Sequence, residues 1–491
     1  MQVASTPKRP PAPAPAAARS KHPSDRAGVD LCAAIPGLRA VLKWRPLQFW
    51  LMWANLVCFA VFINAGLFGS PVGSHNIMIV FVWILWWFLL IALLVPFLSR
   101  FWCTMCPLPA FGEWLQRLRL IGVWPGSGPA KHRTRSLGLS RAWPRALQNI
   151  WLQNGGFLGL AVCSALLVTR PIVSTVVLGG MIVLALGLAL VYRQRAFCMY
   201  LCPVSGFLGL YSMTSTVAVR VKDRALCRGH KEKECLLGCA AGYGCPWFQY
   251  VGSMERNNYC GMCFECFKTC PHDNVTLYLR PFCSETGIKG VDEAFKAFIM
   301  VALALVYSVT LLGPWGVVKD WANASESGHW GGFALYALAV VGLCLVLFPA
   351  LHLGAVALGR RLGGGPAVRL KAAFVGFAYT WVPLGLLAWI AFSVPLLMVN
   401  GAYILSALSD PMGRGADFFG TATVAWHPIL PEWVPLLQAP LLLVGLFYAL
   451  SKSLQVSRQL FGPPARAVPA VLPVWGLATA VTAVFMFFFA G

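Results

Sequence analysis

Nine long apolar runs constrain this chain more than anything else in it. They lie near 47–69, 76–99, 150–169, 171–192, 295–313, 331–358, 372–399, 435–451 and 468–490. Each is long enough to cross about 30 Å of hydrocarbon as a helix. A backbone in lipid must satisfy its own hydrogen bonds, so such runs predict helices rather than loops. Composition agrees: 58% of the 491 residues are hydrophobic and 11% are charged, where a soluble chain carries about 25%. The fold class is therefore an all-α polytopic membrane protein of about nine transmembrane helices. The span centres carry no Asp, Glu, Lys or Arg, and Lys296 sits at the rim of the fifth. Only Arg170-Pro171 separates the third span from the fourth, which predicts a tight hairpin. Pro383 and Pro395 predict a kink in the seventh.

Charge placement gives an orientation. One alternating set of segments (the N-terminal tail, 100–149, 193–296, 360–371 and 452–466) holds 36 of the 39 Lys and Arg, and the other set holds Arg170, Lys319 and Arg414. The positive-inside rule then puts the N-terminus in the cytoplasm and the C-terminus outside. The same pattern accounts for the net charge of +22 without nucleic acid, because no basic, aromatic-interleaved soluble module is present to bind it. Residues 1–30 are too rich in Pro and charge to pack, and a disordered basic cytoplasmic tail is expected over 1–45. They contain no apolar signal-peptide core, so the N-terminus is expected to be retained. A four-helix membrane unit over 46–219 and a five-helix C-terminal region over 291–491 then flank a soluble insert at 220–290.

The insert concentrates cysteine. Of 17 cysteines in the chain, eight fall in two runs, Cys227, Cys235, Cys239, Cys245-Pro246 and Cys260, Cys263, Cys266, Cys270-Pro271. The second run reads C-x2-C-x2-C-x3-C-P, the bacterial ferredoxin spacing for a [4Fe–4S] cluster whose fourth Cys serves the neighbouring cluster. By that scheme Cys260, Cys263 and Cys266 share one cluster with Cys245, while Cys227, Cys235 and Cys239 share the other with Cys270. Two zinc sites are the competing reading, but zinc favours two separated Cys pairs. Metal ligation supplies folding energy that so short an insert lacks in apolar core. A cytoplasmic insert also keeps its thiols reduced.

Two further motifs follow spans that end on the same side. Cys103-Thr-Met-Cys106-Pro107 follows the second span, and Cys198-Met-Tyr-Leu-Cys202-Pro203 follows the fourth. Similar text follows each, LPAFGEWLQ and VSGFLGLYS, as an internal duplication of a helical hairpin would leave it. These four thiols suit a third cluster, a redox-active dithiol or plain packing, and the spacing does not choose among them. Cys32, Cys58, Cys163, Cys283 and Cys344 stand apart and read as buried or spare thiols.

Residues 45–285, through CTMCP, CMYLCP and CGMCFECFKTCP, resemble the NapH/NosR polyferredoxin-like membrane proteins and the related FixG/CcoG proteins. The resemblance implies a bacterial inner-membrane protein. Such proteins pass electrons between quinol or cytoplasmic donors and respiratory enzymes, or reduce a metal during oxidase assembly. This chain departs from them in the widened first run, in lacking the flavin-binding region of NosR and in its five added spans.

The leading functional expectation is a membrane-bound iron–sulfur protein relaying electrons between a cytoplasmic donor and a quinone pool or respiratory partner. The alternatives are a copper-type metal-ion reductase or assembly factor, which Met105 and Met199 within the motifs suit, and a redox-gated transporter or sensor. No catalytic residue is expected on the chain, with Glu113 and Asp292 the nearest candidates for proton transfer. No haem is expected, since His352 is the only histidine well inside a span and has no facing partner. The outer loop 400–434 is long for a connector and suits a partner or quinone head group, with Trp330, Trp426 and Trp433 read as interfacial anchors.

Overall fold

Length and apolarity turn the runs into helices. The computed structural model describes residues 28–121, 137–285, 287–312, 316–365 and 368–490. Among them, eight helices are long and apolar enough to cross a membrane: Leu47–Phe68, Ile77–Leu98, Pro171–Val191, Val291–Leu311, Trp330–Leu362, Leu370–Asn400, Trp433–Phe461 and Pro464–Phe489. The chain is thus a multi-pass membrane protein.

The run at 150–169 differs from its expectation as one helix. It forms Trp151–Val162 and Ser164–Thr169, joined at Cys163, so neither piece alone is long enough to span. Together they still run from end to end of the bundle. At one end the Ile150 amide donates to Asp292 Oδ2 at 3.0 Å, and at the other Arg170 pairs with Glu326 at 3.5 Å. The seventh run also breaks away from its prolines. A 3-10 turn at Ala378–Thr380 separates Leu370–Phe377 from Trp381–Asn400, and the latter runs on through Pro395. Pro383 falls in the first turn of that helix, where an amide hydrogen has no intrahelical partner to lose.

Burial sorts the helices. The best windows of Val291–Leu311 and Leu370–Asn400 are each 72% buried, against 17% for Leu47–Phe68 and Pro171–Val191. The first two form the centre of the bundle. Trp389 joins them by donating to the Met300 carbonyl at 2.8 Å, and its ring also packs on Trp87 and Phe207. The fifth span begins at Val291, four residues before the expected 295, so Lys296 lies inside it and is fully buried rather than at a rim.

The loops gather at two ends. At one, the 69–77 turn meets the outer loop: Ser70 and Ile77 amides donate to the carbonyls of Met412 and Pro411 at 2.7 and 3.1 Å. At the other lie both Cys-Pro motifs and the insert. There a three-stranded antiparallel sheet, in the order β1 (Val29–Asp30), β3 (Val275–Leu279), β2 (Val217–Val221), closes the chain between 222 and 274. The expected disordered tail therefore does not reach residue 45. Residues 1–27 lie outside the described residues, but Val29 and Asp30 pair with Leu279 and Tyr278, and Leu38–Lys43 is helical. Leu42 joins Val219, Val251, Met262, Phe264, Phe267 and Leu277 in an apolar core of the insert's own. The insert's boundaries widen accordingly to take in β1 and β2.

Candidate metal centre

Between β2 and β3 the chain makes three short helices, Arg224–Gly229, Glu234–Leu237 and Glu265–Thr269, which carry Cys227, Cys235 and Cys266. The other insert thiols sit in the turns between them. Met262 and Phe264, on either side of Cys263, take left-handed backbone with φ of 54° and 58°. That conformation costs of order 1 kcal/mol for a residue with a side chain. Its recurrence turns nearby amides toward one side, a concave arrangement common at anion and iron–sulfur sites. Gly261, next to Met262, lets the Trp247 indole pack against the turn, because a Cβ there would overlap it.

The insert thiols fall into two neighbourhoods. Cys227, Cys235 and Cys270 lie close enough for their charges to interact, and Cys239 stands beside them with Sγ 4.0 Å from the Thr269 carbonyl. Cys245 lies among Cys260, Cys263 and Cys266. Cys235 and Cys245 bring the two neighbourhoods together. Burial first, and neighbouring thiols after it, push Cys235 up to about 12. Burial, with Cys260 adding, takes Cys245 to about 11 against amide hydrogen bonds that pull it down. Thiols so held stay protonated near neutral pH unless a cation joins them, and a metal deprotonates a coordinating thiol outright.

The four membrane-edge thiols form a third neighbourhood. Cys103 lies in the helix Trp102–Met105 and Cys106 directly ends it. Cys198 rides on a wide π-helical turn, Phe197–Leu201, and Cys202 caps the helix Pro203–Tyr211. Burial, then the nearby thiols, hold Cys198 well above its ordinary value, and Cys202, Cys106 and Cys103 are those neighbours. Burial takes Cys202 to about 12.

All four Cys-Pro steps share one local device. Proline carries no amide hydrogen and turns the chain, so the amides after it fold back on the sulfur. Gln249 and Asn274 amides donate to Cys245 and Cys270 Sγ, each at 3.4 Å. Ser205 does the same for Cys202 at 3.4 Å, and Leu108 for Cys106.

Buried cations tie the third neighbourhood to the second. Arg195 donates to the Cys103 carbonyl at 2.6 Å and pairs with Glu113 at 2.6 Å, while its charge reaches Cys198 and Cys263. Arg100 stands 3.8 Å from Cys103 Sγ, donates to Ser205 Oγ and the Asn258 carbonyl, and lies over the Trp247 ring at 4.3 Å. Thr104 donates to the Gly261 carbonyl at 2.7 Å. The thiols thus line up as three successive groups, from the outer insert to the membrane edge. Glu113, a candidate for proton transfer, is instead locked. Burial would raise it, but Arg117 and Arg195 more than offset this and hold it below the usual carboxylate value.

Among the described residues, no three or more His, Cys, Asp or Glu converge to the spacing of a single-ion site. A four-iron cluster holds its thiolates further apart, and groups of four buried or part-buried thiols with amides directed at sulfur fit it.

A cavity of about 400 Å³ opens above the third group. Cys103, Cys106, Cys198 and Cys202 form one end of its lining, Trp83, Trp87 and Phe157 its walls, and Lys319, Asn400 and Tyr403 the far end. Sequence reasoning missed this cavity, along with Arg100 and Arg195. Buried arginines beside Cys-Pro motifs are the signal that was available. His352 is an interior hydrogen-bonded residue: Trp381 donates to its Nδ1 at 3.1 Å, and its Nε2 lies 3.0 Å from the Phe374 carbonyl. Met105 and Met199 pack on the membrane core. Trp330, Trp426 and Trp433 are exposed, with Trp426 donating to the Val399 carbonyl at 2.9 Å.

No family model, curated protein or solved structure matches the chain.

Proposed function

We propose that this is a membrane-bound iron–sulfur electron-transfer protein of the NapH/NosR-like kind, relaying electrons between a cytoplasmic donor and a membrane quinone. The single observation that carries the reading is the cavity. It is mostly apolar, it lies within the helices, and the membrane-edge thiols line one end of it. A lipid-soluble carrier fits such a space, since ligand pockets of this kind run to about 300–1,000 Å³.

Cys227, Cys235, Cys239 and Cys270 would hold the outer centre, and Cys245, Cys260, Cys263 and Cys266 the middle one. Cys103, Cys106, Cys198 and Cys202 would hold the inner. Bound there, [4Fe–4S] clusters supply one-electron carriers. The protein's part is to keep the three groups in a row, exclude water and direct amides at sulfur. The orientation, N-terminus and thiols in the cytoplasm and C-terminus outside, rests on the 36-to-3 split of basic residues among 39. Asp292 accepts from the Ile150 amide and Glu113 is salt-bridged, so quinol protons leave toward the cavity's far end or to a partner.

Anaerobic purification with iron and sulfide analysis tests the clusters. About twelve irons per chain are expected for three [4Fe–4S] centres, and zinc without iron would falsify the reading. Leu160, half-buried in the cavity wall, tests the carrier. Leu160→Trp should abolish reduction of the centres by menaquinol or ubiquinol while leaving the iron content and dithionite reduction intact.

A further inference from the structure

Lys296 is fully buried in the helix Val291–Tyr307. Its Nζ has no hydrogen-bond partner among the described residues. It lies 4.4 Å from the centre of the Phe157 ring, and a Cβ on Gly206 would meet its Cε at 3.3 Å. It therefore points between the helices Trp151–Val162 and Pro203–Tyr211, toward the membrane-edge thiols. Cys202 is the ionisable group whose charge reaches it. The carboxylates on its own helix are engaged elsewhere. Glu293 pairs with Arg256 at 2.8 Å and accepts from Asn258 and Tyr259, and Asp292 accepts from the Ile150 amide.

An ammonium buried without a partner costs several kcal/mol, so it persists where an anion answers it. The face contact with Phe157 offsets only a small part of that cost. We propose that Lys296 is a positioning residue for the inner centre: its charge answers an anionic [4Fe–4S] cluster held by Cys103, Cys106, Cys198 and Cys202 and raises that cluster's reduction potential. The proposal rests on the electron-transfer reading above. A neutral disulfide among these four thiols would leave the ammonium unanswered, whereas an anionic cluster answers it. Reduction adds one electron, from a quinol in the cavity or from the middle centre, and no proton. The added negative charge sits beside Lys296, so the reduced state gains more from the ammonium than the oxidised state does. The ammonium thereby makes the inner centre, next to the cavity, easier to reduce than it would be without that charge.

The test is an EPR-monitored redox titration of the intact protein, purified anaerobically, as wild type, Lys296→Met and Lys296→Arg. In Lys296→Met the inner centre should become harder to reduce by at least tenfold, about 59 mV for one electron. The two insert centres should not move, and Lys296→Arg should keep the inner potential near wild type. Loss of about four irons in Lys296→Met but not in Lys296→Arg also supports the proposal. Lys296→Gln gives the same comparison if Lys296→Met does not accumulate. An unshifted inner potential in the uncharged variants overturns it, as does a Lys296→Arg protein that behaves like Lys296→Met. Wild type with about eight irons overturns it while leaving the insert's electron transfer standing, whereas wild type without iron ends both.

Discussion

The insert and the membrane edge solve one problem with different means. Both gather thiols out of water, and with the proposed clusters bound both would have to offset the negative charge of the thiolates. In the insert, amides do most of this. Ala241, Gln249 and Asn274 backbone amides donate to Cys239, Cys245 and Cys270 at 3.4 Å, and the Asn274 side chain to Cys227 at 3.2 Å. At the membrane edge, whole cations stand in: Arg100 beside Cys103, Arg195 between the motifs and Lys296 toward Cys202. The difference follows from depth. Amides reach sulfur at the membrane edge too, at Cys202 and Cys106, but a site between helices has a low dielectric that makes each charge count for more.

Breaking the cationic side of that comparison should have the largest effect. Arg195→Met removes the bridge between Glu113 and the first Cys-Pro motif and leaves the buried carboxylate with Arg117 as its one cation among the described residues. A loss of about 3 kcal/mol is expected, with the inner centre's iron lost and the insert's retained, as thermal melts and iron analysis would read. Next is the insert's tightest point. Gly261→Ala drives a methyl into Trp247. About 1–3 kcal/mol of overpacking follows, visible as earlier loss of the middle centre on heating while the outer centre keeps its EPR signal.

Acid should separate the two regions by a smaller margin. Glu113 is held below its ordinary value of 4.5, so the stability it lends is present above that pH and is lost as pH falls further. Melting temperature should fall below pH 4.5, and Glu113→Gln should start lower but lose less over the same range. A parallel fall in both proteins would remove Glu113 from the account. The smallest effect tests the amide side. Asn274→Ala removes the hydrogen bond to Cys227, worth about 1 kcal/mol, together with two to the Asp223 backbone, and should lower the potential of the outer centre alone. If that shift exceeded the one from Lys296→Met, the contrast between amides and cations would be reversed.

Much of this was legible in the residues themselves. Apolar length marked eight spans, seven of them within about four residues at each end and the run at 435–451 ending ten short of Phe461, because lipid leaves a backbone few alternatives. The Cys-Pro spacing singled out the twelve thiols that the fold draws into three neighbourhoods. Local rules failed where partners came from far along the chain. Residues 28–45 look like the rest of a basic tail, yet Val29 and Asp30 complete a sheet with residues some 250 positions away. The run at 150–169 looks like one span, yet it breaks at Cys163.

By itself, then, the sequence determined a multi-pass membrane chain and which cysteines stand in motifs, since both follow from spacing and hydropathy that act over a few residues. Only the tertiary structure decided that the two Cys-Pro motifs share one site, that Arg100 and Arg195 are buried against it and that a cavity rises from it. It also moved Lys296 from a rim to the interior. Those features depend on which helices pack together, and packing is set by long-range contacts that no local pattern encodes.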